Sequence, residues 1–240
     1  MIVYENINRK MRECEMYDYH VVLDFEMNPV DKTNKDAFFK LRQEIIEIGA
    51  VKLNKDFKII DRFDIYVKPE YNRQVDPDIT RLTGIHSAMT KDADTFEKSL
   101  EKFVEWVGFE RKTRIYSWSE NDLLQLRKEC TYKNVEFPVS FRRWLDFQKV
   151  FPRMMQFPYT QTHIALAEAV KYFNINVDSK KMHGALYDAE VTTALLIDFL
   201  NGNYKKTANY IKDLTQPKSM GNTIADLCGG AFADFYNSLQ

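Results

Sequence analysis

His20-Val21-Val22-Leu23-Asp24-Phe25-Glu26 is an apolar run with two carboxylates among its last three residues. Val, Leu and Phe at that density predict a strand, and the near absence of polar breaks predicts one covered on both faces, the central strand of a sheet. Strand side chains alternate sides, so Asp24 and Glu26 share a face with Val22 while Phe25 joins Val21 and Leu23 opposite. Two partly desolvated acids side by side repel at a cost on the order of several kcal/mol unless a proton or a cation neutralises them. A hard divalent cation such as Mg²⁺ does that through oxygen ligands. The competing reading is a strand that simply ends in water, so the remainder of the chain has to discriminate.

The 240 residues fit one large domain or a domain with extensions, and 45% hydrophobic with 29% charged residues is an ordinary globular composition. A formal charge of −1 lacks the basic excess of a general nucleic-acid binder, so any such contact is local. Three widely spaced cysteines, Cys14, Cys130 and Cys228, suggest reduced thiols and a cytoplasmic setting, without zinc-type spacing. Neither a secretory leader nor a membrane-length apolar run is expected.

After Glu26 a polar loop runs to Arg42, with a helical turn expected around Phe38-Phe39. Glu44 to Leu53 reads as a second strand. Phe57 to Val67 alternates apolar and polar residues as its hairpin partner, with Phe57, Ile59, Phe63, Ile65 and Val67 inward. Asp76-Pro77 starts a short helix that Gly84 ends in a left-handed cap. A helix follows from Ala93 with Phe96, Leu100, Phe103, Val104 and Val107 as its stripe. Ile115 to Trp118 is a fourth strand, and helix resumes at Ser119 or Glu120. Trp144 to Phe147 is a short fifth strand, with irregular chain around it. Helices are expected from Thr160 to Phe173 and from Ala185 to Leu200. The predicted fold is α/β, a central mixed five-stranded sheet flanked by helices, with the fourth and fifth strands parallel to the first. An N-terminal segment (1–18), a domain (19–202) and a C-terminal helical extension (203–240) divide the chain. Ligands in such sheets bind beyond the carboxyl ends of the parallel strands, where Asp24 and Glu26 lie.

Two further acids fall at comparable places. Asp122 follows the fourth strand. Ser119-x-x-Asp122 has the form of a capping box, yet Asp122 also aligns with Leu126 and Cys130, which aims it inward. Asp188 heads the stripe Asp188, Thr192, Leu195 and Phe199 of the last helix, so it faces the core. His183 lies about 140° around an unbroken helix from Asp188 and so belongs to the preceding loop, where Gly184 supplies freedom to move.

As a set, these blocks resemble the DEDDh exonucleases of the ribonuclease-H-like superfamily. Asp24-x-Glu26, Asp122 after Trp118, and His183-x-x-x-x-Asp188 come in that family's order, and Gly184 stands where the tyrosine branch would need Tyr. Leu82-Thr83-Gly84-Ile85 and Glu44-Ile45-Ile46-Glu47-Ile48-Gly49-Ala50-Val51 are similar to its intervening segments. Asp24-Phe25-Glu26 and the long loop after it are most similar to the branch of the histone-mRNA, RNA-interference and KapD-like exonucleases. The resemblance implies two Mg²⁺ or Mn²⁺ ions on Asp24, Glu26, Asp122 and Asp188, with His183 as general base. It implies single-stranded RNA or DNA 3′ ends as partner, RNA mildly preferred, with nucleoside 5′-monophosphates released. It also places Leu82, Thr83 and the Phe25 and Met27 backbone against the terminal nucleotides. Ser119-Glu120-Asn121 departs from the glycine-bearing turn common in the family. Lys149, Arg153, Lys180 and Lys181 are candidates for phosphate contact, and Phe151 or Tyr159 for base stacking. A catalytically silent nucleic-acid-binding adaptor and a polymerase-associated proofreading subunit are the alternatives.

Overall fold

In the computed structural model of this chain, residues 17–108, 112–155, 157, 163–202 and 208 are described. The opening run forms β1 (Tyr19–Pro29), inside a mixed six-stranded sheet. On one side β2 (Gln43–Asn54) pairs antiparallel with it, and β3 (Ile59–Lys68) pairs antiparallel with β2. A two-residue strand β4 (Asp94–Thr95) lies parallel along the end of β3. On the other side β5 (Thr113–Ser117) runs parallel to β1, and β6 (Trp144–Asp146) parallel to β5. Around the sheet stand α1 (Lys35–Lys40), α2 (Pro77–Thr83), α3 (Ser87–Thr90), α4 (Phe96–Val107), α5 (Asn121–Tyr132), α6 (Phe147–Met154), α7 (Leu166–Tyr172) and α8 (Ala185–Leu200).

The alternation expected along β1 decides how the helices divide. Val21, Leu23 and Phe25 pack with Phe96 and Phe103 of α4 and Leu126 and Cys130 of α5. Val22 faces the other layer, with Phe147 and Phe151 of α6, Val170 of α7, and Leu195 and Phe199 of α8. Each fully buried Leu or Phe contributes about 1.5–3 kcal/mol, and both faces of β1 are supplied with them.

Several boundaries differ from the sequence reading for local reasons. The sheet has six strands, not five, because Asp94 and Thr95 extend the edge before Thr95 caps α4 at Phe96. Phe57 lies in the turn before β3, at φ 58°, with its ring 4.6 Å from that of His20. Ile59, expected inward, is exposed, as is Ile60, whereas Phe63, Ile65 and Val67 do turn inward. Residues 147–154 form a helix despite Pro152, which falls in its last turn, where a single missing N–H disturbs little. Of the helix expected from Thr160, the described part begins at Leu166, after an extended Ala165. Thr160 itself, Tyr159, Cys14, Cys228 and most of the C-terminal extension lie outside the described residues. No helix among those described is long and apolar enough to cross a membrane.

Candidate active site

Asp24 and Glu26 project from β1 on the face that α8 covers, and Asp188 enters from the first turn of α8. Carboxylate oxygens of the three lie within 4.8 Å of one another. Asp188 is buried at the head of the expected stripe, above Thr192, Leu195 and Phe199, all buried too.

The start of α8 is fixed by β2. Gly49 stands directly opposite Asp24 in the ladder, and a Cβ there would fall 2.0 Å from the Leu186 nitrogen and 2.1 Å from the Ala185 carbonyl carbon. Only a residue without a side chain lets helix and strand come so close. Beside it, Glu47 Oε2 accepts the Ala185 N–H at 2.8 Å. Glu47 is the cross-strand partner of Glu26 and is itself buried. The sequence reading missed this fifth acid. The hairpin register would have found it, since directly opposed residues share a face.

Asp122 is brought in from the far side. It does not close the capping box: the N-cap is Glu120, without a side-chain bond. Instead Asp122 Oδ1 accepts the Phe25 N–H at 3.2 Å, so the backbone between Asp24 and Glu26 holds it. It is buried with Leu126 and Cys130, as their shared helix face requires.

These acids raise one another's proton affinity. Burial is the main reason the Asp24 carboxyl sits well above its usual range, and the negative charges of Asp122, Glu26, Asp188 and Glu47 add to it. Glu26 is pushed up to about 9 by burial and then by Glu47, Asp188 and Asp122. Asp122 and Glu47 rise to about 7, again through burial, against the opposing pull of the Phe25 and Ala185 N–H groups. Asp188 is raised by burial although the His183 N–H donates to its Oδ2 at 3.1 Å. Among the described residues no Lys or Arg forms an ion pair with Asp24, Glu26, Asp122 or Asp188, and Asp188 Oδ1 is buried without a hydrogen-bond partner. An all-oxygen set of converging, unneutralised carboxylates fits hard divalent cations such as Mg²⁺ or Mn²⁺.

The remaining candidates are placed unevenly. His183 is exposed, in the loop before α8, at φ 68°, whereas Gly184 is an ordinary extended N-cap. The left-handed corner therefore belongs to the histidine and turns the chain so that its own N–H reaches Asp188. Leu82 is half exposed at the end of α2, and the Thr83 hydroxyl is spent on the Ile79 carbonyl and the Ile85 N–H. The Phe25 ring lies in the opposite core against Phe103 and Trp144, and Met27 packs at the edge of that core. Phe151 is fully buried, which removes it as a stacking platform. Lys149 is engaged with Glu120 and Asp146, while Arg153, Lys180 and Lys181 are exposed.

The sequence pattern of the exonuclease family matches residues 21–196. Human 3′-5′ exoribonuclease 1 is 29% identical over 159 residues, covering 62% of this chain and 44% of that protein. This chain therefore matches less than half the length of that relative. The solved nuclease domain of 3′hExo, a DEDDh family member bound to rAMP, superposes with a TM-score of 0.67 at 27% identity. That match covers 78% of this chain and 93% of the other. A 3′-exonuclease solved for its 3′-end-specific recognition of a histone mRNA stem-loop gives 0.66 at 26%, over 78% and 83%.

Proposed function

This chain belongs to the exonuclease family, and from that premise we propose that it is a DEDDh-type 3′-5′ exonuclease hydrolysing single-stranded RNA or DNA ends, RNA preferred, to nucleoside 5′-monophosphates. The observation that carries the reading is the convergence of four acids, from β1, α5 and α8, without a cation of the chain's own among the described residues.

Asp24, Glu26 and Asp188 would hold one ion and Asp24 with Asp122 a second. Two divalent ions, Mg²⁺ or Mn²⁺, when bound supply the Lewis acidity that readies a water and stabilises the phosphoryl and leaving 3′-oxygens. The chain's residues do the rest. The Phe25 N–H fixes Asp122 and the His183 N–H fixes Asp188, so both carboxylates are oriented before any ligand arrives. His183, exposed in the loop before α8, takes the water's proton on a ring nitrogen. Leu82 and Thr83 meet the terminal nucleotides, with the Phe25 and Met27 backbone beside the terminal sugar. The similarity to human 3′-5′ exoribonuclease 1 and to the 3′-exonuclease that recognises a histone mRNA stem-loop supports RNA over DNA.

The test is digestion of matched single-stranded RNA and DNA oligomers with open and blocked 3′ ends. The expected result is Mg²⁺-dependent release of 5′-mononucleotides from open ends only, faster on RNA. Cation binding without any mononucleotide from either oligomer would replace the reading with that of a binding adaptor.

A further inference from the structure

We infer that Asn28 is a positioning residue: it fixes α2, and with it Leu82 and Thr83, relative to the strand that carries Asp24 and Glu26. The inference rests on the exonuclease reading above and goes beyond it, since Asn28 touches neither the acids nor the nucleotide.

Asn28 is completely buried two residues beyond Glu26 on β1. Its Nδ2 donates to the carbonyls of Asn72 at 3.2 Å and Gln74 at 3.1 Å, and its Oδ1 accepts the Asp76 N–H at 2.8 Å. Two carbonyls and one N–H leave a single orientation for the carboxamide and use both of its N–H donors. Asp76 is the N-cap of α2, its side chain accepting the Asp78 N–H. Asn72 returns the contact by donating from Nδ2 to the Pro29 carbonyl at 2.9 Å.

These bonds matter because little else holds α2. None of its seven residues is buried. The chain that leads into it from β3 forms no ladder and is tied to the sheet by side chains, Asn28 from β1 and Glu44 from β2. The helix's own apolar contact comes from half-buried Ile79, which lies against the small cluster of Ile46, Val75 and Ile85. A buried amide with every group satisfied is rigid and specific in a way that a half-exposed helix is not. One strand therefore sets the position of the catalytic acids and, four residues past Asp24, of the surface that would receive the terminal nucleotide.

Loosening this tie should weaken substrate positioning and leave the acids intact. For Asn28→Ala the expected result is a KM for single-stranded RNA raised about tenfold, with kcat and the calorimetric Mn²⁺ affinity each held within about twofold. Adding Leu82→Ala to Asn28→Ala should raise KM less than it does in the wild type, because both changes act through α2. Asn72→Ala, at a half-buried position, removes one bond of the same tie and should shift KM in the same direction by less; it decides the matter where Asn28→Ala does not fold. KM unchanged in every folded variant would overturn the inference, as would loss of Mn²⁺ affinity in place of a KM effect. A wild-type chain that releases no mononucleotide would overturn the exonuclease reading beneath it instead.

Discussion

Two groups of buried acids share β2, three residues apart, and they are completed in opposite ways. At Glu44 the carboxylate accepts the N–H groups of Glu70, Tyr71 and Asn72, and Lys133 Nζ lies 3.3 Å away. Glu129 joins it, accepting the Ile45 N–H at 2.9 Å and pairing with Lys133 at 3.0 Å. Lys133 also lies over the rings of Phe96 and Tyr71. That group carries its own cation. At Glu47 the neighbours are Glu26, Asp188 and Asp64, acids again. Backbone donors reach both groups, and the lysine separates them: a buried carboxylate paired with a lysine is a joint of the fold, whereas one whose charged neighbours are all carboxylates is a site that waits for a proton or a metal.

The contrast breaks most sharply at Asp24. Asp24→Asn should cut Mg²⁺-dependent nuclease activity on the order of a thousandfold or more, as removal of one member of a concerted set does. It should also raise the melting temperature of the metal-free protein, because one of the repelling charges is gone; a lower melting temperature would mean that Asp24 is a structural acid like Glu44. His183→Ala should lower kcat by about 10²–10⁴-fold, the usual worth of a general base, with Mn²⁺ affinity retained. Equal losses in both would make His183 a ligand.

The other side of the contrast breaks at Lys133. Lys133→Met strands Glu44 and Glu129 without a cation and should destabilise the fold by about 3–5 kcal/mol in denaturant titration, with or without divalent metal. Rescue by Mn²⁺ would erase the distinction between the two groups.

A smaller effect sharpens it. Glu26 and Glu47 titrate from the usual 4.5 unfolded to about 9 and about 7 in the fold. Because the folded values are the higher ones, the metal-free fold binds more protons than the unfolded chain. Its stability from these groups is complete below the unfolded value and is lost as pH rises through about 7 and about 9. Divalent cation should remove that loss, so the melting-temperature gain on adding Mn²⁺ widens as pH increases, with protons released on binding. A gain that narrows with rising pH would count against the carboxylates as the cation's ligands. The smallest effect belongs to Lys180 and Lys181: reversing both charges should flatten the salt dependence of oligonucleotide binding by about two phosphate contacts at most, and an unaltered slope would remove them from the nucleic-acid path.

Much of this was legible in the sequence where a period or a cap spoke for itself. The alternation of Val21, Val22, Leu23 and Phe25 across two cores, the Asp76 and Gly84 ends of α2, and the stripe below Asp188 follow from geometry that a strand or helix imposes on any chain. What stayed hidden depended on partners distant in sequence. The acid at position 47 looks like one polar interruption of an apolar strand until the register sets it against Glu26. Ser119 and Asp122 spell a capping box, but the N–H that claims Asp122 belongs to Phe25, 97 residues away. Phe147 to Met154 hid its helix behind Pro152, and Lys133 showed nothing of the three acids it joins.

The most direct test of the central claim is anomalous scattering from crystals of the wild-type protein soaked in Mn²⁺. The account predicts one peak among Asp24, Glu26 and Asp188 and a second beside Asp122, about 4 Å apart. A map with the carboxylates in place and no peak between them, even in saturating Mn²⁺ at a pH above the raised proton affinities, would contradict it.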